Sequence, residues 1–437
     1  MRDLIFAFLW VALLPLLLIS AQAGVLVWVW SALLPPNDLL YGFMAGVPFN
    51  KIAAVLTIFL VVFGREKKEP YFNITLLLLI LLGLASTVSW LDGIGSSPVA
   101  TDLYEKLLKE ILLTFVITVV MTTRAHVDRL VLVVVLSIGF LAVKEGIIYL
   151  VTTGGHLITG NAAVGDNNGV ALALLMTMPL ITYLGRFSTV RIVRIGMWCL
   201  LGLSLITVLA TYSRGGLIGM MVLGVFALVK SRRRFLSLLL VVITGIFLYA
   251  LVPDAWLSRM DTIQSAEDDS SFMGRVVAWK ISLLIAEDNP LFGGGMHAVQ
   301  NQLVWDTYKK DFHALDFVNT PPPGEIPRAA HSIYFEVMGD LGFIGLTLFL
   351  MLLCVAVWNC RQLYRASREH PSLVWASDLA RMLQLSLIIY LTVGAALSAA
   401  YFELLYVLIA LSSRCRRTVQ LTLAAEKANT ESSSRLS

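Results

Sequence analysis

Three side chains stand where an apolar chain has reason to avoid them. Arg214 lies in Thr211-Tyr212-Ser213-Arg214-Gly215-Gly216, between two apolar stretches. Arg275 lies in Phe272-Met273-Gly274-Arg275, and His331 opens the run His331-Ser332-Ile333-Tyr334. An ionisable residue at membrane depth costs about 2.5–3.5 kcal/mol and so needs a reason. A guanidinium presents five fixed donors that suit phosphate oxygens. The glycines after Arg214 remove side chains and let a ligand reach the backbone. A helix N-terminus carries partial positive charge, which disfavours an imidazolium and attracts anions. A neutral imidazole there can take a proton from a hydroxyl near pH 7.

Each residue also has a plainer reading. Arg214 could be an interfacial arginine snorkelling to head groups. Arg275 could be an ion-pair partner of Asp268 or Asp269, with Arg259 and Lys280 as nearby alternative cations. His331 could cap the helix that follows it. Taken together, two arginines and a histidine fit a substrate carrying a diphosphate. Tyr212, Ser213, Gly215 and Ser332 are the neighbours expected to help hold it.

The elements that must position them are membrane helices. The chain has 437 residues, 58% hydrophobic and 14% charged, against about 25% charged in soluble domains. Apolar stretches fall near 3–20, 22–35, 50–63, 73–91, 105–122, 130–151, 168–185, 195–212, 214–229, 235–252, 331–358, 380–398 and 400–413. Many approach the length that crosses a bilayer as a helix. The expected fold is therefore an all-α polytopic membrane protein with about 12 transmembrane helices. Pro15, Pro35 and Pro36 interrupt the first two stretches, and these are read as one retained crossing with both termini inside.

Lys and Arg cluster in short segments, as at Arg65-Lys67-Lys68, Lys230-Arg232-Arg233-Arg234 and Arg414-Arg416-Arg417. Such segments stay cytoplasmic, and none extends into a basic domain that would bind nucleic acid. The resulting alternation puts the segments near 93–104, 153–167 and 211–215, with the long stretch 253–330, on the outer side. The chain thus divides into a first part of the bundle (1–252), a loop domain (253–330), further transmembrane helices (331–413) and a cytoplasmic tail (414–437). From Ala424 onward the tail is polar, Ser-rich and expected to be disordered.

A structureless loop of about 80 residues is improbable, so short helices are expected within 253–330, one of them over Phe272–Ala286. Trp305, Tyr308 and Phe312 either pack the loop's core or stack on sugar rings. Gly293-Gly294-Gly295 lacks the Lys-Ser/Thr ending of a phosphate loop and reads as a flexible turn. Gly339, Gly342 and Gly345 suggest close helix packing. Asp166-Asn167-Asn168 reads as a helix cap or a contact to sugar hydroxyls. Asp268-Asp269 lacks the further ligands of a metal site. The four cysteines lie outside the loop, so no disulfide framework is expected there. No internal repeat supports an inverted-repeat transporter.

The sequence resembles the O-antigen ligase superfamily of bacterial membrane proteins. The resemblance is carried by Tyr212-Ser213-Arg214-Gly215-Gly216, a long loop with Gly274-Arg275, and His331-Ser332 leading into Gly339-Asp340-Leu341-Gly342. It implies a glycosyltransferase of the inner membrane, working on the periplasmic side without cofactor or metal, with inversion at the anomeric carbon. The donor would be an undecaprenyl-diphosphate-linked glycan and the acceptor lipid A–core. Arg214 and Arg275 would hold the diphosphate and His331 would act as base. Met1-Arg2-Asp3-Leu4 with Tyr41-Gly42-Phe43 looks like a subgroup of protein O-glycosylation ligases, for which the acceptor would be a protein Ser or Thr. O-antigen polymerases share the fold, with a second lipid-linked glycan as acceptor.

Overall fold

The computed structural model describes residues 2–66, 68–69, 71–95, 97–160, 162–230, 270–315 and 320–436. The apolar stretch 235–252, the start of the loop and the Asp268-Asp269 pair lie outside the described residues, among which there is no strand.

The helices are α1 (Arg2–Ile19), α2 (Ala21–Leu33), α3 (Phe49–Phe63), α4 (Ile74–Asp92), α5 (Pro98–Val120), α6 (Arg124–Val151), α7 (Asn167–Phe187), α8 (Arg191–Ala210) and α9 (Arg214–Lys230). After the undescribed stretch come α10 (Ser270–Asp288), α11 (Gln302–Tyr308), α12 (Ile333–Ser367), α13 (Val374–Val393) and α14 (Glu403–Leu436). Among the described residues, seven helices are long and apolar enough to cross a membrane: α1, α4, α6, α7, α8, α12 and the segment built on α13. Lipid offers the backbone no hydrogen-bond partner, so apolar segments satisfy their own amides as helices. Polar residues at the boundaries begin them. Asn73, Ser97, Thr123 and Asp166 each accept a backbone N–H of the first turn through the side chain.

Helix α7 is central, with almost every residue from Gly169 to Gly185 buried, and it packs on α6, α8, α9 and α13. Helix α12 packs on α4, α13, α14 and the loop helix α10. Polar contacts separate two ends of the bundle. At one, Arg414 is fully buried, with Nη2 2.6 Å from Glu69 and further bonds to the Thr118 and Thr122 carbonyls. Arg186 and Arg381 share Asp378 at 3.1 Å each. Arg414 and Arg186 come from short basic segments expected on the cytoplasmic side; Arg381 lies within the apolar stretch 380–398. The other end gathers the turns after α4, α6, α8 and α13 with the loop domain.

The first two apolar stretches depart from the expectation of a single crossing. The chain breaks at Ser20, whose φ/ψ of −133°/114° is extended. Beside the break, the Ala21 N–H donates to Glu66 (3.0 Å), in the segment that also holds Glu69. Asp3 instead accepts the Met44 N–H (3.1 Å), and Asp38 nearby accepts the Ala162 N–H (3.1 Å). Helices α1 and α2 therefore run between opposite ends as a hairpin, and the N-terminus lies at the loop-domain end. Pro15 is accommodated within α1, and the break falls at a capping serine instead.

Three further features differ from their sequence reading. Gly293–Gly295 is an ordered turn seated in a kink of α12. Gly294 N–H donates to the Gly339 carbonyl (2.9 Å), and Phe343 N–H to the Pro290 carbonyl (2.9 Å). Gly342 makes the kink, with φ 67° and ψ −165°, while Gly339 packs against Val299 and Ser282 of the loop domain. The tail after Ala424 continues α14 to Leu436; Ala, Glu and Lys are good helix formers, and no Gly or Pro intervenes.

The loop domain has its own core. Trp305, Tyr308 and Phe312 are buried with Ala278, Ile281, Ile285 and Val304. The aromatic residues thus pack the interior rather than a sugar.

Candidate active site

His331 sits at the turn that joins the loop domain to α12. Its backbone is left-handed (φ 44°), uncommon for a residue with a Cβ. Its N–H donates to Ser398 Oγ (3.0 Å), which pins it to the turn between α13 and α14. Ser332 follows in extended conformation as the N-cap residue, nearly fully buried. Trp279 fixes the approach of the loop helix: its ring stacks on Phe335 (centroids 5.0 Å apart), and its Nε1 donates to the Ala330 carbonyl (2.6 Å).

This pins Arg275, one turn before Trp279 on α10, close to His331. Burial holds the His331 imidazole below its ordinary value, the Arg275 charge lowers it further, and the Asp166 carboxylate partly opposes both. The ring is therefore neutral near pH 7, the form that accepts a proton. Gly274 leaves room for Arg328, whose guanidinium lies where a Cβ would point. Sequence reading did not single out Arg328.

Arg214 is exposed and begins α9. Tyr212, two residues earlier, is also left-handed (φ 54°). Ser213 is buried, and its Oγ accepts the Gly216 N–H (3.1 Å). A Cβ on Gly215 would touch Val393 at 3.4 Å, and one on Gly394 would meet Ile333 at 3.0 Å. The start of α9 thus lies across α13 from the start of α12. Asn167 Nδ2 donates to the Thr211 carbonyl (2.7 Å), tying the Arg214 turn to the Asp166 cap.

Between these turns is a cavity of about 250 Å³. His331 and Asp166 line it with Lys106, Glu336, Ser398 and Tyr401. Lys106 pairs with Glu403 at 3.0 Å. The lining does not include Arg214 or Arg275. Sequence reading missed Lys106 and Glu336. A charged residue within a mainly apolar helix is the signal that marks both. Among the described residues no group of three or more His, Cys, Asp or Glu is gathered to hold a metal.

The fold and the cavity define a helical membrane protein with a polar pocket beside the loop domain. Residues 199–350 match the family model described as O-Antigen ligase, and residues 1–189 match that of a family of unknown function (DUF5935). No curated protein matches the chain. The first match spans Arg214, Arg275 and His331, the residues that carry the resemblance to the O-antigen ligase superfamily, so over that stretch the chain is similar to that family.

Proposed function

We propose that this protein transfers an O-antigen polysaccharide from undecaprenyl diphosphate to lipid A–core oligosaccharide at the periplasmic face of the inner membrane. The observation that carries this reading is the placement of His331 in the lining of a polar cavity, close enough to Arg275 for that charge to lower its imidazole. The acceptor hydroxyl oxygen attacks the anomeric carbon from the face opposite the diphosphate. The C–O bond to phosphate breaks, and the undecaprenyl diphosphate leaves with the bonding pair. His331 takes the acceptor proton. Arg275 and Arg214 offset the charge that grows on the leaving oxygen. Arginines in this role supply the positive charge a metal would otherwise bring. Attack from the opposite face inverts the anomeric centre.

A second acceptor has one observation in its favour. Arg2 lies over the Tyr41 ring (5.1 Å to the centroid), and Asp3 caps Met44 across Gly42. The two stretches that resemble protein O-glycosylation ligases therefore form one packed feature, and it is that resemblance which keeps a protein Ser or Thr as the alternative acceptor.

The test is His331→Ala in the native host, with surface lipopolysaccharide resolved on a gel. Loss of the long-chain ladder, with the variant still in the membrane, supports ligation to lipid A–core. An unchanged ladder with altered glycoproteins shifts the acceptor to protein. If both are unchanged, the catalytic proposal fails.

A further inference from the structure

We infer that the cavity beside His331 binds one pyranose ring by its hydroxyls, and that Lys106 and Asp166, both from residues 1–189, select it. This rests on the transferase reading and names the ligand of one part of that site. One part of the lining comes from the segment that matches the family of unknown function: Lys106 on α5 and the 162–169 turn. That segment therefore builds half of the pocket.

The lining alternates donors and acceptors. Lys106 directs one bond at Glu403 (3.0 Å), and an ammonium has three donors. Ser398 Oγ accepts the His331 N–H and keeps its own proton to donate. The Asp166 carboxylate accepts from Gly169 and Asn168, and the Glu336 carboxylate from the Ala400 N–H; each carboxylate has lone pairs to spare. A sugar hydroxyl both donates and accepts, so such a lining suits a ring of them. Phe402 and Tyr401 add the apolar surface that the C–H face of a sugar needs.

Charge argues against the diphosphate in this space. Asp166 faces the cavity and the charge of Lys106 is already paired with Glu403, so an anion meets a carboxylate with no offsetting cation in the lining. Size agrees: drug-sized ligands take roughly 300–1,000 Å³, and about 250 Å³ admits a single ring. The diphosphate then belongs outside, with the arginines. The ring is either the first sugar of the donor or the terminal sugar of the acceptor.

Saturation-transfer NMR on the full-length protein in detergent tests this, with the methyl glycosides of galactose and N-acetylglucosamine as probes and inorganic pyrophosphate as competitor. At least one glycoside should bind saturably, unaffected by pyrophosphate, and at least fivefold more weakly to Asp166→Asn and Lys106→Met. Asn also caps helices, so the first variant keeps the start of α7. Leu103→Phe, which fills the cavity from an apolar wall, should abolish binding at an unchanged melting temperature. No saturable binding, displacement by pyrophosphate, or variants that bind like the wild type would overturn the inference.

Transfer assays then separate the sources. A rise in KM for the acceptor alone assigns the ring to the acceptor, and a rise for the donor alone to the donor. Unchanged KM for both rejects the pocket while leaving the transferase reading intact. Wild-type protein that binds glycosides in this residue-dependent way but transfers none rejects the transferase reading alone.

Discussion

His331 occupies left-handed backbone, is held through its N–H by Ser398, and is kept neutral by burial and by Arg275. Strained backbone of this kind is stored where the surroundings over-determine it, and Tyr212, beside Arg214, shares it. Because the folded imidazole is held below its ordinary value, the unfolded chain binds more protons at mildly acid pH. His331 therefore subtracts stability as pH falls from the ordinary value to the lowered one. Transfer should follow the same group. Its rate should fall on the acid side of the ordinary histidine value and stay flat above it. Arg275→Ala removes a charge that lowers the imidazole, so the acid limb should move to higher pH as the maximal rate drops. A limb that stays in place would separate Arg275 from His331. The residue types of Arg214, Arg275 and His331, and the glycines beside the two arginines, were legible in the sequence. Lys106 and Glu336 were not, because a charged residue in a helix reads alike whether it faces a cavity or a partner helix.

At the scale of elements, the joint between loop domain and bundle is a turn of glycines set into a broken helix. A Cβ on Gly342 would sit 2.7 Å from the Gly293 nitrogen and 2.9 Å from the Pro290 carbonyl oxygen. Gly342→Ala should therefore cost about 1–3 kcal/mol and lower the melting temperature of the purified protein. It should also weaken transfer, because the same joint positions α10 and its Arg275. Asp340 secures the joint from the other side: one oxygen accepts the Ala298 N–H (2.9 Å) and the other the Tyr401 hydroxyl (3.0 Å). Asp340→Ala leaves both donors without that partner and should lower the melting temperature further than Asp340→Asn. Gly-Asp-Leu-Gly could be seen in the sequence, but its purpose could not, since a helix-packing stripe and a kink that receives a distant turn use the same residue.

For the whole molecule, the opposite end is a lattice of arginines, carboxylates and carbonyls. Glu69→Ala deprives the fully buried Arg414 of its carboxylate and leaves only carbonyls. The cost should fall at the lower end of about 3–5 kcal/mol, read as a drop in melting temperature. The N-terminal hairpin makes a separate prediction about arrangement. In a cysteine-free background, a cysteine at Asn37 should react with a membrane-impermeant thiol reagent from the side that reaches one at Gly324. A cysteine at Glu66 should react only from the other side. Labelling of positions 37 and 66 from one side would restore a single N-terminal crossing.

Composition and period alone determined that this chain forms apolar helices with one long polar segment between them, and where most of those helices begin. Each backbone amide in an apolar phase has only its own chain to bond, so the local sequence suffices. Tertiary structure alone decided that α1 and α2 form a hairpin, that the glycine turn enters α12, and that residues from both halves of the chain wall the cavity beside His331. Those outcomes depend on contacts between residues hundreds of positions apart, whose energies are invisible until the helices are laid side by side.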